Sequence, residues 1–210
     1  MKDLVLYVHG RGGAASEAAR YAPLFPGREV VGLDYRGATP WEAGAEVREA
    51  LEARKERCGR VTLIANSIGA YYCMHSGVDR QIEKAYFISP IVDMEALIRG
   101  MMARSGVTEE ALRARGVIPA DSGEALSWEY LCYVRSHPNR WDAPTEILYG
   151  EADALTPYQT AAAFAAAHGA GLTVMPGGEH WFHTDAQLRF LDDWLRRCEG
   201  RAITQNVNRT

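Results

Sequence analysis

The chain has 210 residues, 47% of them hydrophobic and 24% charged, with a formal net charge of -4. That length suits one domain with a substantial core. The charge gives no electrostatic basis for a nucleic-acid partner or for stable association with an anionic membrane, and no apolar run is long enough to span a bilayer.

The chain opens on MKDLVLYVHG, whose apolar run is too short for a signal peptide and lacks a small-residue cleavage site, so a cytoplasmic location is expected. LVLYVHG reads as a buried strand and EVVGLDY, residues 29 to 35, as a second. Residues 41 to 57, rich in Glu, Ala and Arg, read as a helix. RVTLIANS is the third strand, with a helix over 67 to 76 after it, and KAYFISP is the fourth. Residues 91 to 143 carry helical patterns and no convincing strand; Leu126, Tyr130 and Val134 make one apolar stripe. TEILYG and GLTVMPG are the fifth and sixth strands. Between them, residues 157 to 168 form a helix that opens on proline, whose missing N–H costs nothing there. The last helix, about 185 to 198, opens with Thr184 and Gln187 at capping-box spacing, and its Leu188, Leu191 and Leu195 share a face. The polar tail after Ile203 is expected to fray.

Strands this continuously apolar are those covered on both faces. Alternating with helices, they imply right-handed βαβ units. The expected fold is α/β: a doubly wound, mostly parallel sheet of about six strands with helices on both faces. Cys58, Cys73, Cys132 and Cys198 are widely spread with no CxxC, so they read as reduced, mostly buried thiols, and neither a disulfide frame nor a metal site is expected.

In open α/β sheets, ligands bind beyond the carboxyl ends of the strands. HGRGG follows the first strand, Ser67 the third, GEADALTP with Asp153 the fifth, and GGEHWFH with His180 and His183 the sixth. A serine, an acid and a histidine thus follow one another in chain order on loops at one end of the sheet, the order of the α/β-hydrolases. On these turns, and on DYRG at 34 to 37, the chain resembles a small member of the α/β-hydrolase family with only the last six of its eight strands. The family's elbow is usually Gly-x-Ser-x-Gly. Here Ala65 stands in place of the first glycine, as in some lipases of the family, and Gly69 is kept.

The resemblance implies that Ser67 is a nucleophile, Asp153 its acid and His180 its base, with the backbone N–H groups of Arg11 and Ile68 as the oxyanion hole. It places residues 91 to 143 in the slot where the family inserts lids. The remaining candidates have plainer readings. Ser67 alone could be a helix N-cap. Asp93, after the fourth strand, is the second choice for the acid, and otherwise an N-cap. His183 immediately precedes the last helix and packs near its start. HGRGG lacks the GxGxxG or Lys-Ser/Thr pattern of a phosphate loop. The aromatic residues at 128 to 141 are core first and pocket wall second. The expected activity is cleavage of a small to medium ester or thioester, soluble and of short acyl chain, with no cofactor. The alternatives are a C–C bond hydrolase or lyase on the same fold, or a non-catalytic ligand-binding member.

Overall fold

The computed structural model describes residues 1–120 and 125–207. Six strands form the central sheet: β1 (Lys2–Val8), β2 (Glu29–Gly32), β3 (Cys58–Asn66), β4 (Lys84–Ile88), β7 (Thr145–Gly150) and β8 (Gly171–Met175). Their order is β2-β1-β3-β4-β7-β8, and every neighbouring pair is parallel. This is the expected doubly wound sheet.

Side chains alternate along each strand, and in the four inner strands both alternating sets are largely buried, whereas the edge strands β2 and β8 are only half-buried. Leu4, Leu6 and Val8 of β1 pack on one face, beneath α1 (Pro40–Glu52), α2 (Ile68–Met74) and α6 (Tyr158–Ala167). Val5 and Tyr7 pack on the other, against a 3₁₀ segment at Ala15–Leu24 and α7 (Asp185–Val207), where Tyr21, Phe25, Leu191 and Trp194 are buried. A strand buried on both faces has no polar period, which is why these strands read as solid apolar runs.

Several expected elements differ in extent. EVVGLDY pairs only as Glu29–Gly32, because β2 is an edge strand and its chain turns away after the Leu33 N–H bonds the Tyr7 carbonyl. Helix α1 begins where Thr39 caps the Glu42 N–H and Pro40 takes the first turn, but it stops at Glu52 rather than residue 57. Residues 53–57 are turns leading into β3. The 3₁₀ segment was not expected from the sequence.

The 91–143 segment holds α3 (Met94–Arg104), α4 (Glu109–Arg115) and α5 (Trp128–Ser136). It also holds two strands where none was expected: β5 (Val117–Pro119) and β6 (Ala125–Ser127) pair antiparallel. Leu126 therefore lies on β6 and not on one helical stripe with Tyr130 and Val134, and the buried residue of α5 is Leu131. Ile98, Leu112, Leu131 and Trp141 belong to the same core as the sheet residues Leu63 and Phe87, so the segment is fused to the main body.

At the last helix, Thr184 Oγ1 accepts from the Gln187 N–H at 3.3 Å, and Gln187 Oε1 accepts from the Thr184 N–H at 3.1 Å, the reciprocal bonds of a capping box. The helix continues to Val207, past the point where fraying was expected; residues 208–210 lie outside the described residues. All four cysteines are free; Cys73 and Cys198 are buried, Cys58 is half-buried and Cys132 exposed. No helix among the described residues is long and apolar enough to cross a membrane.

Candidate active site

The sheet order reverses between β1 and β3: the chain leaves β1 toward β2 and returns past it to β3. Such a switch point opens a crevice at the carboxyl edge. The loops leaving β1 and β3 form its walls. Gly10 lies so close to the second loop that a Cβ there would stand 3.0 Å from the Ser67 Cβ.

Ser67 has φ 53° and ψ -121°, a conformation L side chains rarely adopt. Both its backbone groups are held by the chain leaving β4: the Ser67 N–H bonds the Ile88 carbonyl at 2.9 Å, and its carbonyl accepts from the Ile91 N–H at 3.2 Å. Those bonds secure the strained turn. The Ser67 side chain does not cap α2, so the N-cap reading fails. Gly69 allows the first turn of α2 to lie against β1, because a Cβ there would be 2.4 Å from the His9 carbonyl oxygen and 2.7 Å from that of Val8. Ala65, where the family has glycine, is fully buried on β3, and its methyl belongs to the core.

That packing carries a prediction. Gly69→Ala should cost about 1–3 kcal/mol, because the neighbours are backbone and cannot swing aside. Thermal unfolding should show a Tm lower by several degrees; an unchanged Tm would mean that the elbow and β1 can separate freely.

Ser67 Oγ lies 2.8 Å from His180 Nε2, and His180 Nδ1 lies 2.8 Å from Asp153 Oδ2. The other carboxylate oxygen, Oδ1, accepts the N–H groups of Leu155 at 2.8 Å and Thr156 at 3.0 Å, which fix its rotamer. The Asp153 side chain is 0% exposed and that of His180 16%. The three residues expected from the sequence are thus brought into one line of contacts.

Other candidates fall elsewhere. Asp93 caps α3 by accepting the Ala96 N–H at 2.9 Å, the plainer of its two readings. His183 is exposed, bonds the Trp181 carbonyl through Nδ1 and stacks on the Trp181 ring. His9 is buried, stacked on Tyr35.

Above Ser67 is a hollow of about 390 Å³. Gly10, Arg11, Gly12 and Gly13 form one side, and Leu155, His180 and Trp181 the other. Ile68 is the first residue of α2, so its N–H has no acceptor within the helix. Glu17 and Asn66 also line the hollow and were not expected to. Asn66 adjoins Ser67 in sequence. Glu17 was invisible because the 3₁₀ segment carrying it was unrecognised. Its carboxylate accepts from the Tyr7 hydroxyl at 2.5 Å and the Ala14 N–H at 3.1 Å. Burial, above all, pushes the Tyr7 hydroxyl well above its usual range, which keeps it a neutral donor. Among the described residues, none from 91–143 lines the hollow.

The family model described as "Alpha/beta hydrolase family" matches residues 5–193. The chain belongs to the α/β-hydrolase family. Among solved structures, Est1E from Butyrivibrio proteoclasticus with ferulic acid bound is 17% identical; the match covers 96% of this chain and 90% of that one, with a TM-score of 0.78. Mouse alpha/beta hydrolase domain-containing protein 10 is 15% identical over 95% of this chain and 90% of that one, with a TM-score of 0.68. ClbQ from the colibactin NRPS/PKS pathway is 14% identical over 97% of this chain and all of the other, with a TM-score of 0.63. At these identities the likenesses show the fold. A sequence search of curated proteins finds no match.

Proposed function

We propose that this protein is a serine hydrolase that cleaves a small to medium ester or thioester through an acyl-enzyme. The observation that carries the reading is the line from Asp153 through His180 to Ser67, with both links at 2.8 Å. A carboxylate only accepts, so His180 Nδ1 carries a proton toward Asp153. Its Nε2 is then left to accept the proton of Ser67.

In this reading Ser67 Oγ attacks the carbonyl as His180 Nε2 takes its proton. Asp153, anchored by two backbone N–H groups, holds the imidazole in that tautomer and stabilises the imidazolium. The carbonyl oxygen becomes an oxyanion facing the backbone N–H groups of Ile68 and Arg11. A donor of this kind is worth about 10²–10³ in kcat. The acyl–oxygen bond then breaks, His180 returns its proton to the departing oxygen, and the acyl group remains on Ser67. Water, deprotonated by the same histidine, releases the acid. No cofactor or metal enters the proposed sequence. That Est1E is solved with ferulic acid, a carboxylic acid of the kind ester cleavage releases, is in keeping with this class.

The 91–143 segment acts in this reading as a fixed shoulder beside the site. Its buried Trp141 meets Phe87 of β4 at 5.3 Å between ring centroids, and Tyr133 meets Trp41 of α1 at 4.9 Å.

An organophosphonate probe, which requires an activated nucleophile, should label the native protein, and peptide mapping should place the adduct on Ser67. Labelling that persists undiminished in Ser67→Ala would sink the assignment.

A further inference from the structure

Two hollows meet at Trp181. Beside the one over Ser67 lies a second, of about 260 Å³, and Glu17, Asn66 and Trp181 line both. The indole, 68% exposed, stands as a partition between them. The second hollow is walled by Tyr21 of the 3₁₀ segment, Ile88 at the end of β4, Phe182, and Leu188 and Leu191 of α7. Its charged groups are paired except at the Arg20 Nε–H, which is buried with no hydrogen-bond partner among the described residues. The Arg20 guanidinium lies 2.5 Å from Asp192, and the Glu17 carboxylate is bonded by Tyr7 and Ala14. Mostly apolar walls beside a paired carboxylate and guanidinium select a neutral, largely apolar group, to which the Arg20 Nε–H offers one donor. At about 260 Å³ the hollow falls short of the roughly 300–1,000 Å³ that encloses a whole drug-sized ligand, so it suits part of a substrate.

The geometry points to this second hollow as the subsite for the leaving group, and to an aryl-bearing alcohol as the group it takes. The inference rests on the serine-hydrolase reading, and the side of the substrate follows from proton transfer. His180 Nε2 receives the proton of Ser67 and must deliver it to the oxygen that departs, so that oxygen lies on the histidine's side of the serine. The residues directly after His180, Trp181 and Phe182, are those that separate and wall the second hollow. The carbonyl oxygen faces the opposite side, toward Arg11 and Ile68. As the acyl–oxygen bond breaks, the alcohol takes the His180 proton and leaves past Trp181, and the acyl group stays on Ser67 Oγ. A ring in the hollow would pack against Trp181, Tyr21 and Phe182, where aromatic pairs add to simple burial.

The test holds the acyl group constant and varies the alcohol. For the acetyl esters, kcat/KM for benzyl acetate should exceed that for ethyl acetate by about tenfold or more, the scale on which apolar pockets discriminate. Leu188→Trp, which fills the hollow from the surface of α7, should lower that ratio about tenfold. Trp181→Ala, which removes the partition, should move the preferred alcohol from benzyl toward naphthylmethyl. The ranking of ethyl acetate, butyrate and hexanoate should persist through Leu188→Trp, since Leu188 lines the second hollow and not the one over Ser67. Variants that reorder the acyl series while the benzyl-to-ethyl ratio stands would overturn the assignment, since the hollow would then hold the acyl chain. So would a ratio insensitive to Leu188→Trp in a variant that unfolds cooperatively like the wild type. If Leu188→Trp does not fold, Trp181→Ala, at an exposed position, decides the matter alone. Absence of all ester turnover together with absence of probe on Ser67 overturns the hydrolase reading itself, and the leaving-group assignment with it.

Discussion

Ser67→Ala is expected to lower kcat for ester hydrolysis by about 10⁶-fold, close to the effect of removing all three site residues together, because in the proposed mechanism the serine, histidine and acid act as one unit. The loss should leave the fold intact. The Ser67 hydroxyl bonds His180, and the residue's backbone bonds to Ile88 and Ile91 do not depend on the side chain. Alanine carries the same Cβ as serine at φ 53°, so it neither adds nor relieves backbone strain. Ser67→Gly should be equally inactive yet more stable, since glycine adopts positive φ without the cost other residues bear, about 1 kcal/mol or more. Ester turnover and thermal unfolding measured on the same two variants separate chemistry from stability. Turnover in Ser67→Ala within tenfold of wild type would remove the serine from the mechanism.

The sheet was legible because burial on both faces leaves an unbroken apolar signature. LVLYV shows it, and Leu4 to Val8 are all buried. Where that cause weakens, so does the reading. EVVGLDY kept its apolar composition beyond Gly32, but an edge strand is limited by how far its one neighbour extends, which composition does not record. The helix over 41 to 57 overran because Arg, Lys and Glu at 53 to 57 favour helix locally, whereas entry to β3 at Cys58 is a tertiary demand. The β5–β6 hairpin has three residues per strand and a proline in the first, too short for a period of two to register.

Much of the candidate site was legible for a topological reason: strands that run parallel deliver their exit loops to one edge. Ser67, Asp153 and His180 lie far apart in sequence and were still placed together by noting which reactive residue follows which strand. The hollow's lining was less legible. Trp181 sits next to His180 but, from sequence, could as well have been core as rim, and it is 68% exposed. Glu17 lines the hollow because of where the 3₁₀ segment packs, against β1 and β2, a matter of tertiary placement, and Asn66 because it ends β3 beside Ser67. Residues 128 to 141 posed the reverse case. Their aromatics suggested a pocket wall in an expected lid, yet Trp141 is buried against Phe87, and the hollow over Ser67 is lined from other elements.

The two histidines of GGEHWFH should separate cleanly. His180→Ala is expected to reduce kcat about as far as Ser67→Ala does, on the order of 10⁶-fold, because without an acceptor at Nε2 the serine hydroxyl is a weak nucleophile. That variant should also be somewhat less stable. Asp153 Oδ2, which has no exposure in the native protein, would lose its partner, a penalty of about 1–3 kcal/mol. Turnover is therefore to be compared at a temperature below the variant's own unfolding transition. Imidazole added to the solution should restore part of the activity, since the truncated side chain leaves a space of its own shape between Ser67 and Asp153. No such rescue is expected in Ser67→Ala, where the missing group is the proposed nucleophile. His183→Ala should cost less than about tenfold, because its ring bonds the Trp181 carbonyl and lies 3.6 Å from Glu179, with no contact to Ser67. A reversed ranking would mean that the loop after β8 rearranges to bring His183 over the serine. Rescue of His183→Ala by imidazole, with none for His180→Ala, would establish that exchange directly.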